Sequence, residues 1–264
     1  MPRRWPRLKT ALGMSKLSVI RLTIEAPVTS FRHPHFLVGR QVSYDMPPPS
    51  TVYGHVASAL GELPGPDSFQ FGIDFRFLSR CSDLEHQQII TAGGQAFTSS
   101  GHKYRTSIQA TVQPHLRDFL FKPRMVLYLT RPDWVDAFRS PTFCVILGRS
   151  QDLAAVTSVA ETYLEERSGA YFEHTLLPFS YRPFVAVGTT TLMPRWIEPP
   201  PERRAHFDRF IAIHHERVFA GTYTEPDGVG SRMIGDPNVR RWWVDPATPT
   251  YHGVQRGVVL HSCA

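Results

Sequence analysis

Residues 69–78, FQFGIDFRFL, carry the clearest alternation of apolar and polar side chains in the sequence. Phenylalanine or isoleucine occupies every second position from Phe69 to Phe77, and the residues between them are glutamine, glycine, aspartate and arginine. Successive side chains of a β-strand point to opposite faces of a sheet, so this stretch predicts a strand with an aromatic core face. The protein is therefore expected to contain a sheet whose buried face is aromatic.

Two further elements are predicted before this strand. Residues 17–24 alternate in the same way and predict a half-buried first strand. Three consecutive prolines precede residues 51–60, where apolar side chains recur every fourth position, as on one face of a helix. Gly54 lies inside this predicted helix, where glycine costs about 1 kcal/mol relative to alanine. We therefore expect Gly54 to permit the close approach of another backbone or of a ligand.

The elements that follow complete a recognisable order. Residues 87–92 predict a strand that pairs with residues 69–78, and the polar, basic stretch that comes next, up to His115, predicts a projecting hairpin or loop. Residues 119–130 predict a strand, residues 132–139 a short helix, and residues 143–147 a buried strand. Apart from residues 87–92, the order is strand, helix, strand, strand, helix and strand, which is that of a ferredoxin-like (RRM-like) βαββαβ domain of the α+β class.

This order divides the chain into three parts. Residues 1–13 carry four basic and no acidic side chains and are expected to form a flexible basic tail, and residues 14–150 hold the ferredoxin-like pattern. Residues 151–264 predict a looser, mainly β C-terminal subdomain with a strand over residues 184–192. Residues 202–217 fit a helix and a strand about equally.

The basic residues are concentrated in one part of the chain, which indicates a polyanionic partner there. The chain has 29 basic and 23 acidic residues, a net charge of +6, but four of the basic residues precede Met14. Residues 93–132 carry six basic side chains and the single acid Asp118. Such a stripe attracts polyanions such as RNA, and a solvated polar face explains it about equally well.

Several classes of protein and site are disfavoured. No apolar run is long enough for a membrane helix and no signal peptide is evident, so a cytoplasmic protein without membrane contact is expected. The three cysteines lie far apart, and the common phosphate-loop, dinucleotide, acyl-transfer and zinc-protease motifs do not occur. Neither of the close pairs His33/His35 and His214/His215 sits in a cluster of carboxylates or thiols that would complete a metal site. Neither a metal ion nor a cofactor is expected.

Three adjacent residues, His102, Lys103 and Tyr104, could serve in RNA chemistry or in RNA binding. Metal-free cleavage needs a general base, a general acid and a cation, because the ribose 2′-OH is the nucleophile. Neighbours on a strand point to opposite faces, however, and the same residues suit phosphate binding, hydrogen bonding and base stacking. Binding is the simpler hypothesis, and metal-independent cleavage remains the alternative.

A turn at Leu147–Leu153, LGRSQDL, follows the predicted buried strand. Gly148 permits a tight backbone there, and exposed amide N–H groups together with Arg149 could hold a phosphate. A plain turn would explain the same residues.

Taken together, these segments resemble the CRISPR-associated protein 5 family of the RAMP superfamily. The segments that carry the resemblance are residues 26–32 (APVTSFR), 46–54 (MPPPSTVYG), 117–120 (RDFL), 147–153 (LGRSQDL) and 256–261 (RGVVLH). The proline-rich entry to the helix and the LGRSQDL turn are most similar to the type I-B branch.

The resemblance implies a subunit of a type I Cascade complex in antiviral defence. Such a subunit binds the 5′ handle of the guide RNA, caps the complex, contacts its backbone and large subunits, and lies near the target DNA. It also implies a thumb hairpin at about residues 92–116, inserted in the ferredoxin-like domain. One branch of the family cuts precursor RNA itself, but no catalytic residue is carried over to this sequence. The RNA-binding residues expected here are Arg32, His102, Lys103, Tyr104, Arg105, Arg124, Gly148, Arg149 and Ser150.

Overall fold

The computed structural model describes residues 7–9, 15–35, 39–92, 97–104, 108–221, 233–234 and 241–263. It is a mixed α/β fold, with mostly strands and few helices. The strands are β1 (Arg7–Lys9), β2 (Ser15–Glu25), β3 (Val28–Thr29), β4 (Phe31–Arg32), β5 (Arg40–Gln41), β6 (Ser43–Tyr44), β7 (Phe71–Arg76), β8 (Ser79–Ala92), β9 (Phe97–Ser99), β10 (His102–Tyr104), β11 (Ile108–Phe121), β12 (Arg124–Leu129), β13 (Ala155–Arg167), β14 (Gly169–Phe172), β15 (Thr175–Pro178), β16 (Thr189–Ile197), β17 (Ala205–Ile213), β18 (Val218–Gly221), β19 (Met233–Ile234) and β20 (Trp242–Val244). The α-helices are α1 (Pro49–Leu60) and α2 (Val135–Arg139), and short 3-10 turns span Pro132–Trp134 and Phe179–Phe184.

The largest sheet is antiparallel and has the order β20, β13, β2, β12, β7, with β1 also paired to β2. One cross-strand row joins Leu22, Leu127 and Ile73, all buried, so one face of the sheet is a continuous apolar surface. The helices α1 and α2 contribute Val56 and Phe138 to the same core. The aromatic face predicted for residues 69–78 is thus buried, as the alternation indicated.

The last strand of the predicted order lies elsewhere than expected. Residues 143–147 form no strand, and Phe143 is 60% exposed. The strand that completes the sheet beside β2 is β13, beyond the boundary predicted at residue 150. Its apolar alternation is weak, and a bulge between Val156 and Ser158 shifts its register, so the period-two pattern does not identify it.

A long hairpin, which we call the arm (residues 79–121), connects β7 to β12. Its strands β8 and β11 pair along all fourteen residues of each, and β9 pairs with β10 further out. The predicted hairpin of residues 87–92 with residues 69–78 is therefore wrong, since β8 pairs with β11. The strand predicted over residues 119–130 is two strands, separated at Lys122, which has φ +48°, and Pro123. The thumb expected at residues 92–116 lies within the arm, whose pairing begins at Ser79.

The C-terminal part shares the core of the main sheet. Leu176, Met193 and Phe210, from β15, β16 and β17, belong to the same apolar cluster as β2 and β7, so the packing has no break at residue 150. Residues 205–213, within the ambiguous stretch 202–217, form a strand. The strand predicted over residues 184–192 begins later, at Thr189.

The two ends of the chain also contact the main sheet. Val258 and Leu260 pack on Leu17, Val19 and Tyr128, and so cover the sheet face opposite the helices. Within the segment expected to be a flexible tail, Arg7–Lys9 pairs with β2, and its other residues lie outside the described part of the chain. Among the described residues, no helix is long and apolar enough to span a membrane.

Candidate functional site

A groove of about 740 Å³ lies where the root of the arm meets the rest of the fold. Its walls come from the start of α1, from β8 and β11, from the β16–β17 sheet and from two loops. It brings Arg32 together with the turn Gly148–Ser150, two features that are more than 110 positions apart and that the sequence predicted separately as RNA contacts. Four of the expected residues therefore share one site.

The charged wall of the groove is an ion-pair network. Glu85 contacts Arg117 and lies 3.4 Å from Nη1 of Arg149, and it also accepts a hydrogen bond from Gln151. Burial alone would raise the pKa of Glu85, but the hydrogen bonds from Arg117 and Gln151 outweigh it and lower the pKa. Arg117 also donates to the amide oxygen of Gln41, which is buried. The arm is thus joined to the rest of the fold by fixed, fully ionised groups.

The turn at Gly148 has a structural role that differs from the predicted phosphate nest. The amide N–H groups of Arg149 and Ser30 both donate to Oδ2 of Asp152, at 3.2 and 3.1 Å, so a carboxylate of the chain already occupies the nest. The Arg149 side chain donates to both carboxylate oxygens of Asp152, at 2.8 and 2.9 Å. Burial opposes the charge of Arg149, but Asp152 and Glu85 raise its pKa, so it stays charged. Its remaining capacity for a phosphate is limited by these partners.

Arg32 is the cation of the groove that remains available. It lies on the short strand β4 and is exposed, and within the described residues it takes part in no ion pair. An unpaired guanidinium at the edge of a groove can bind a phosphate without first breaking an existing contact.

An apolar part of the groove includes Phe207, which ends a row of aromatic rings. A row of four rings runs from Tyr44 to His33, His35 and Phe207, with centroid distances of 4.4, 5.4 and 5.7 Å between neighbours. Phe207 and Pro34 line the groove, together with Ile197. Burial and the nearby His35 lower the pKa of His33, which favours the neutral form of that ring. Within this row His35 and Phe207 are exposed, and exposed rings are the groups on which unstacked bases pack.

The predicted arm residues lie on a different surface. His102 and Lys103 are exposed on β10, where they face Ser99 and Thr98 of β9, and neither lines the groove. As neighbours on a strand they point to opposite sides. The backbone of Tyr104 continues β10 but its side chain is outside the described part of the structure, and so is the whole of Arg105.

Arg124 is also separate from the groove. It lies on β12, where its Nε is 3.4 Å from Glu25 Oε1 on the neighbouring strand. Its cross-strand partner on the other side is Arg76.

Glu85, Gln41 and Phe207 are site residues that the sequence did not single out, and Arg117 was noted only within the RDFL segment and the basic stripe. Each is one polar or aromatic residue within a strand, and they come from four separate segments. A motif search has no short pattern to find here, because the site exists only once β11 lies beside β5 and β8.

Two other kinds of site find no support in the structure. The sheet face on which RRM domains stack bases is covered here by the C-terminal segment. Within the described ranges, no three His, Cys, Asp or Glu side chains are grouped so that they could hold a metal ion. The groove is therefore the leading candidate for ligand binding.

Comparisons with known proteins give one family. Among solved structures, the chain is similar to a "CRISPR RNA-guided surveillance complex" chain (TM-score 0.47, 16% identity, 74% of this chain and 89% of that chain). It is similar to a "Cas protein" (TM-score 0.35, 13% identity, 74% and 95%) and to a chain of the type III-B Cmr-beta complex bound to cognate target RNA (TM-score 0.42, 11% identity, 73% and 84%). No curated protein matches the sequence. Residues 19–182 match the family described as "CRISPR-associated protein (Cas_Cas5)". Because this match spans more than half of the chain, the protein belongs to the Cas5 family of CRISPR-associated proteins.

Proposed function

We propose that this chain is a non-catalytic, RNA-binding subunit of a type I Cascade complex, of the type I-B branch, that holds the 5′ handle of the guide RNA. The observation that carries the proposal is the groove, which Arg32 lines together with the exposed ring of Phe207 and the turn Gly148–Ser150. Membership in the Cas5 family and the strand order of the main sheet, which fits a ferredoxin-like RAMP domain, support the same assignment.

The binding mechanism follows from the two walls. A phosphate group of the handle binds the guanidinium of Arg32, and an unstacked base packs against Phe207 and its neighbour His35. The ion pairs of Glu85 hold Arg117 in one geometry before RNA arrives, so little side-chain entropy is lost on binding. On the arm, Lys103 and His102 add exposed contacts to the same strand of RNA.

The arm also has a surface suited to a protein partner. Leu84, Leu116, Val112 and Ile90 lie on one face of the β8–β11 pair, and each is more than half exposed. Contiguous exposed apolar side chains on a two-stranded arm indicate an interface with another protein. This face supports contact with the neighbouring backbone or large subunit when the chain caps the complex in the cytoplasm.

RNA binding by the purified chain tests the groove. We expect Phe207→Ala to weaken the binding of handle RNA at least about fivefold, since stacking one base on an aromatic ring is worth roughly 1–3 kcal/mol. Arg32→Ala should lower the slope of log affinity against log salt by about 0.7 for a single strand. Arg139→Ala is the matched control, because Arg139 is exposed on α2 and paired with Asp136. Equal affinity and equal salt slope for all three variants would contradict the groove assignment.

Incubation with precursor guide RNA in EDTA tests the absence of catalysis. We expect no repeat-specific cleavage. Cleavage that is lost in His102→Ala would instead assign the chain to the alternative, a metal-independent endoribonuclease. Co-purification with the other effector subunits, followed by sequencing of the bound RNA, tests the handle and the subtype together.

A further inference from the structure

Arg217 lies outside the groove and is held in one orientation by two contacts. Its Nε donates to Glu173 Oε2 at 2.6 Å, and the guanidinium carbon lies 4.0 Å from the centre of the Tyr251 ring. Tyr251 is itself stacked on Phe219, with ring centroids 5.8 Å apart. The Arg217 side chain is nevertheless 40% exposed. Because Tyr251 covers one plane of the guanidinium, the other plane and the terminal N–H groups are the accessible part.

Among the described ion pairs around Arg217, guanidinium groups outnumber carboxylates by one. Three guanidinium groups, those of Arg76, Arg217 and Arg256, contact the carboxylate of Glu173. Only one further carboxylate, that of Asp74, belongs to this cluster within the described residues, and it is paired with Arg76 and Arg256. Both carboxylates are almost completely buried, whereas Arg76 and Arg217 are partly exposed. A partly desolvated cluster with excess positive charge is stabilised by an anion at its exposed side.

A neighbouring histidine responds to the same positive field. Burial is the main reason that the pKa of His174 falls to about 4, and the nearby Arg76, His215 and Arg217 lower it further. His174 is therefore neutral at pH 7 and adds no charge of its own. The exposed charge of the cluster thus lies on Arg76 and Arg217, since Arg256 is only 14% exposed.

We propose that Arg217 and Arg76 form a second contact site for single-stranded nucleic acid, in which a phosphate group bridges their outward N–H groups and a base stacks on the free plane of Arg217. Both guanidinium groups reach the same carboxylate, which places them close enough to share one phosphate. An arginine plane supported by a tyrosine presents a flat cationic surface to a base. None of these residues lines the groove, so the site does not depend on the handle assignment.

A charge-preserving variant separates stacking from simple attraction. The parent is the full chain carrying Arg32→Ala and Phe207→Ala, which removes the main groove contacts, and the probe is a fluorescein-labelled single-stranded RNA of eight adenosines. In fluorescence anisotropy we expect the parent to retain binding and Arg217→Lys to weaken it at least about fivefold. With an abasic probe of equal phosphate number, Arg217→Lys should bind like the parent. Arg139→Lys, on the exposed surface of α2, is the control and should change neither affinity.

A second variant guards against loss of folding. Tyr251→Leu keeps the Arg217–Glu173 ion pair but removes the aromatic support of the guanidinium plane. It should therefore lower the affinity for the adenosine probe, as Arg217→Lys does. The proposal is overturned if the parent does not bind RNA or if both variants bind RNA like the parent. It is also overturned if Arg217→Lys lowers the affinity for the abasic probe as much as the affinity for the adenosine probe. An octaaspartate peptide that binds as tightly as RNA, with the same sensitivity to Arg217→Lys, would assign the site to an acidic protein and overturn it as well.

Discussion

Replacing Gly148 by alanine tests whether the turn beside the groove is a packing element or a phosphate nest. Gly148 has φ +95°, and a β-carbon there would lie 2.5 Å from Thr29 Oγ1 and 2.7 Å from the carbonyl oxygen of Ser30. The neighbouring strand is fixed, since the Thr29 hydroxyl donates to the Leu147 carbonyl and the Ser30 N–H donates to Asp152. The added methyl group therefore meets backbone that cannot easily move.

The expected loss of stability has two sources. A left-handed conformation costs an L-residue about 1–2 kcal/mol relative to glycine, and overpacking a filled site costs about 1–3 kcal/mol. Together they predict a loss of about 2–5 kcal/mol in the free energy of unfolding. For a chain of this size the Tm should fall by about 5–15 °C.

Thermal unfolding followed by circular dichroism measures this loss, and Gly54→Ala is the matched control. Gly54 is exposed in α1, and nothing lies within 4 Å of the position that an added methyl group would take, so the expected close approach of another backbone is wrong and the expected approach of a ligand stays a prediction. Alanine should raise helix stability by about 1 kcal/mol and the Tm by about 2–4 °C. If Gly148→Ala instead kept the parental Tm and lost RNA affinity, the turn would be a phosphate nest and the packing argument would fail.

Three further predictions concern the core, the arm and acid stability. Leu120→Ala should lower the free energy of unfolding in urea by about 2–5 kcal/mol, and Leu116→Ala should lower it by less than about 0.5 kcal/mol. The two residues lie on the same strand face, but Leu120 is fully buried and Leu116 is 51% exposed. Equal losses of stability would mean that the arm is packed along its length. Asp118→Ala should lower stability by about 2–3 kcal/mol, since the buried carboxylate accepts hydrogen bonds from Arg40 at 3.0 and 3.2 Å; an unchanged urea midpoint would contradict this. Burial lowers the pKa of His261 to about 4, despite its hydrogen bond to a backbone carbonyl. Between pH 6.5 and pH 4 the unfolded chain therefore binds a proton at this residue that the folded chain does not bind. The free energy of unfolding should fall by about 2 kcal/mol from pH 7 to pH 5. His261→Gln should shrink that pH-dependent loss, and an identical pH profile would count against the assignment.

The central strands could be predicted from the sequence because their environment is simple. Residues 69–78 alternate between a core face and a polar face, and the period-two pattern reports that difference directly. The helix α1 was located for the same reason, since Val52 and Val56 share one buried face. Such elements have one apolar face, so the spacing of their apolar residues identifies them without knowledge of the strands or helices that pack beside them.

The elements that were misplaced have partners that decide their structure. The strand β13 has mostly exposed or intermediate side chains and is fixed by pairing with β2 and β20, so its own residues carry little signal. Residues 143–147 are apolar but form no strand ladder, because Phe143 is exposed and only Leu147 enters the core. The arm began earlier than expected because Ser79–Leu84 is polar and exposed, and only its pairing with residues 116–121 makes it a strand.

The groove shows why bulk charge is an incomplete guide to binding. The chain carries a net charge of +6, yet Arg117 and Arg149 are each satisfied by a carboxylate of the chain, and Arg32 is the groove cation without one among the described residues. Paired arginines fix the shape of a wall, whereas an unpaired one can exchange its counterion for a phosphate. Recognition in this groove therefore depends more on the fixed aromatic and polar geometry than on the number of basic residues. The arginine cluster at Glu173 differs, because among its described ion pairs the carboxylates are fewer than the guanidinium groups.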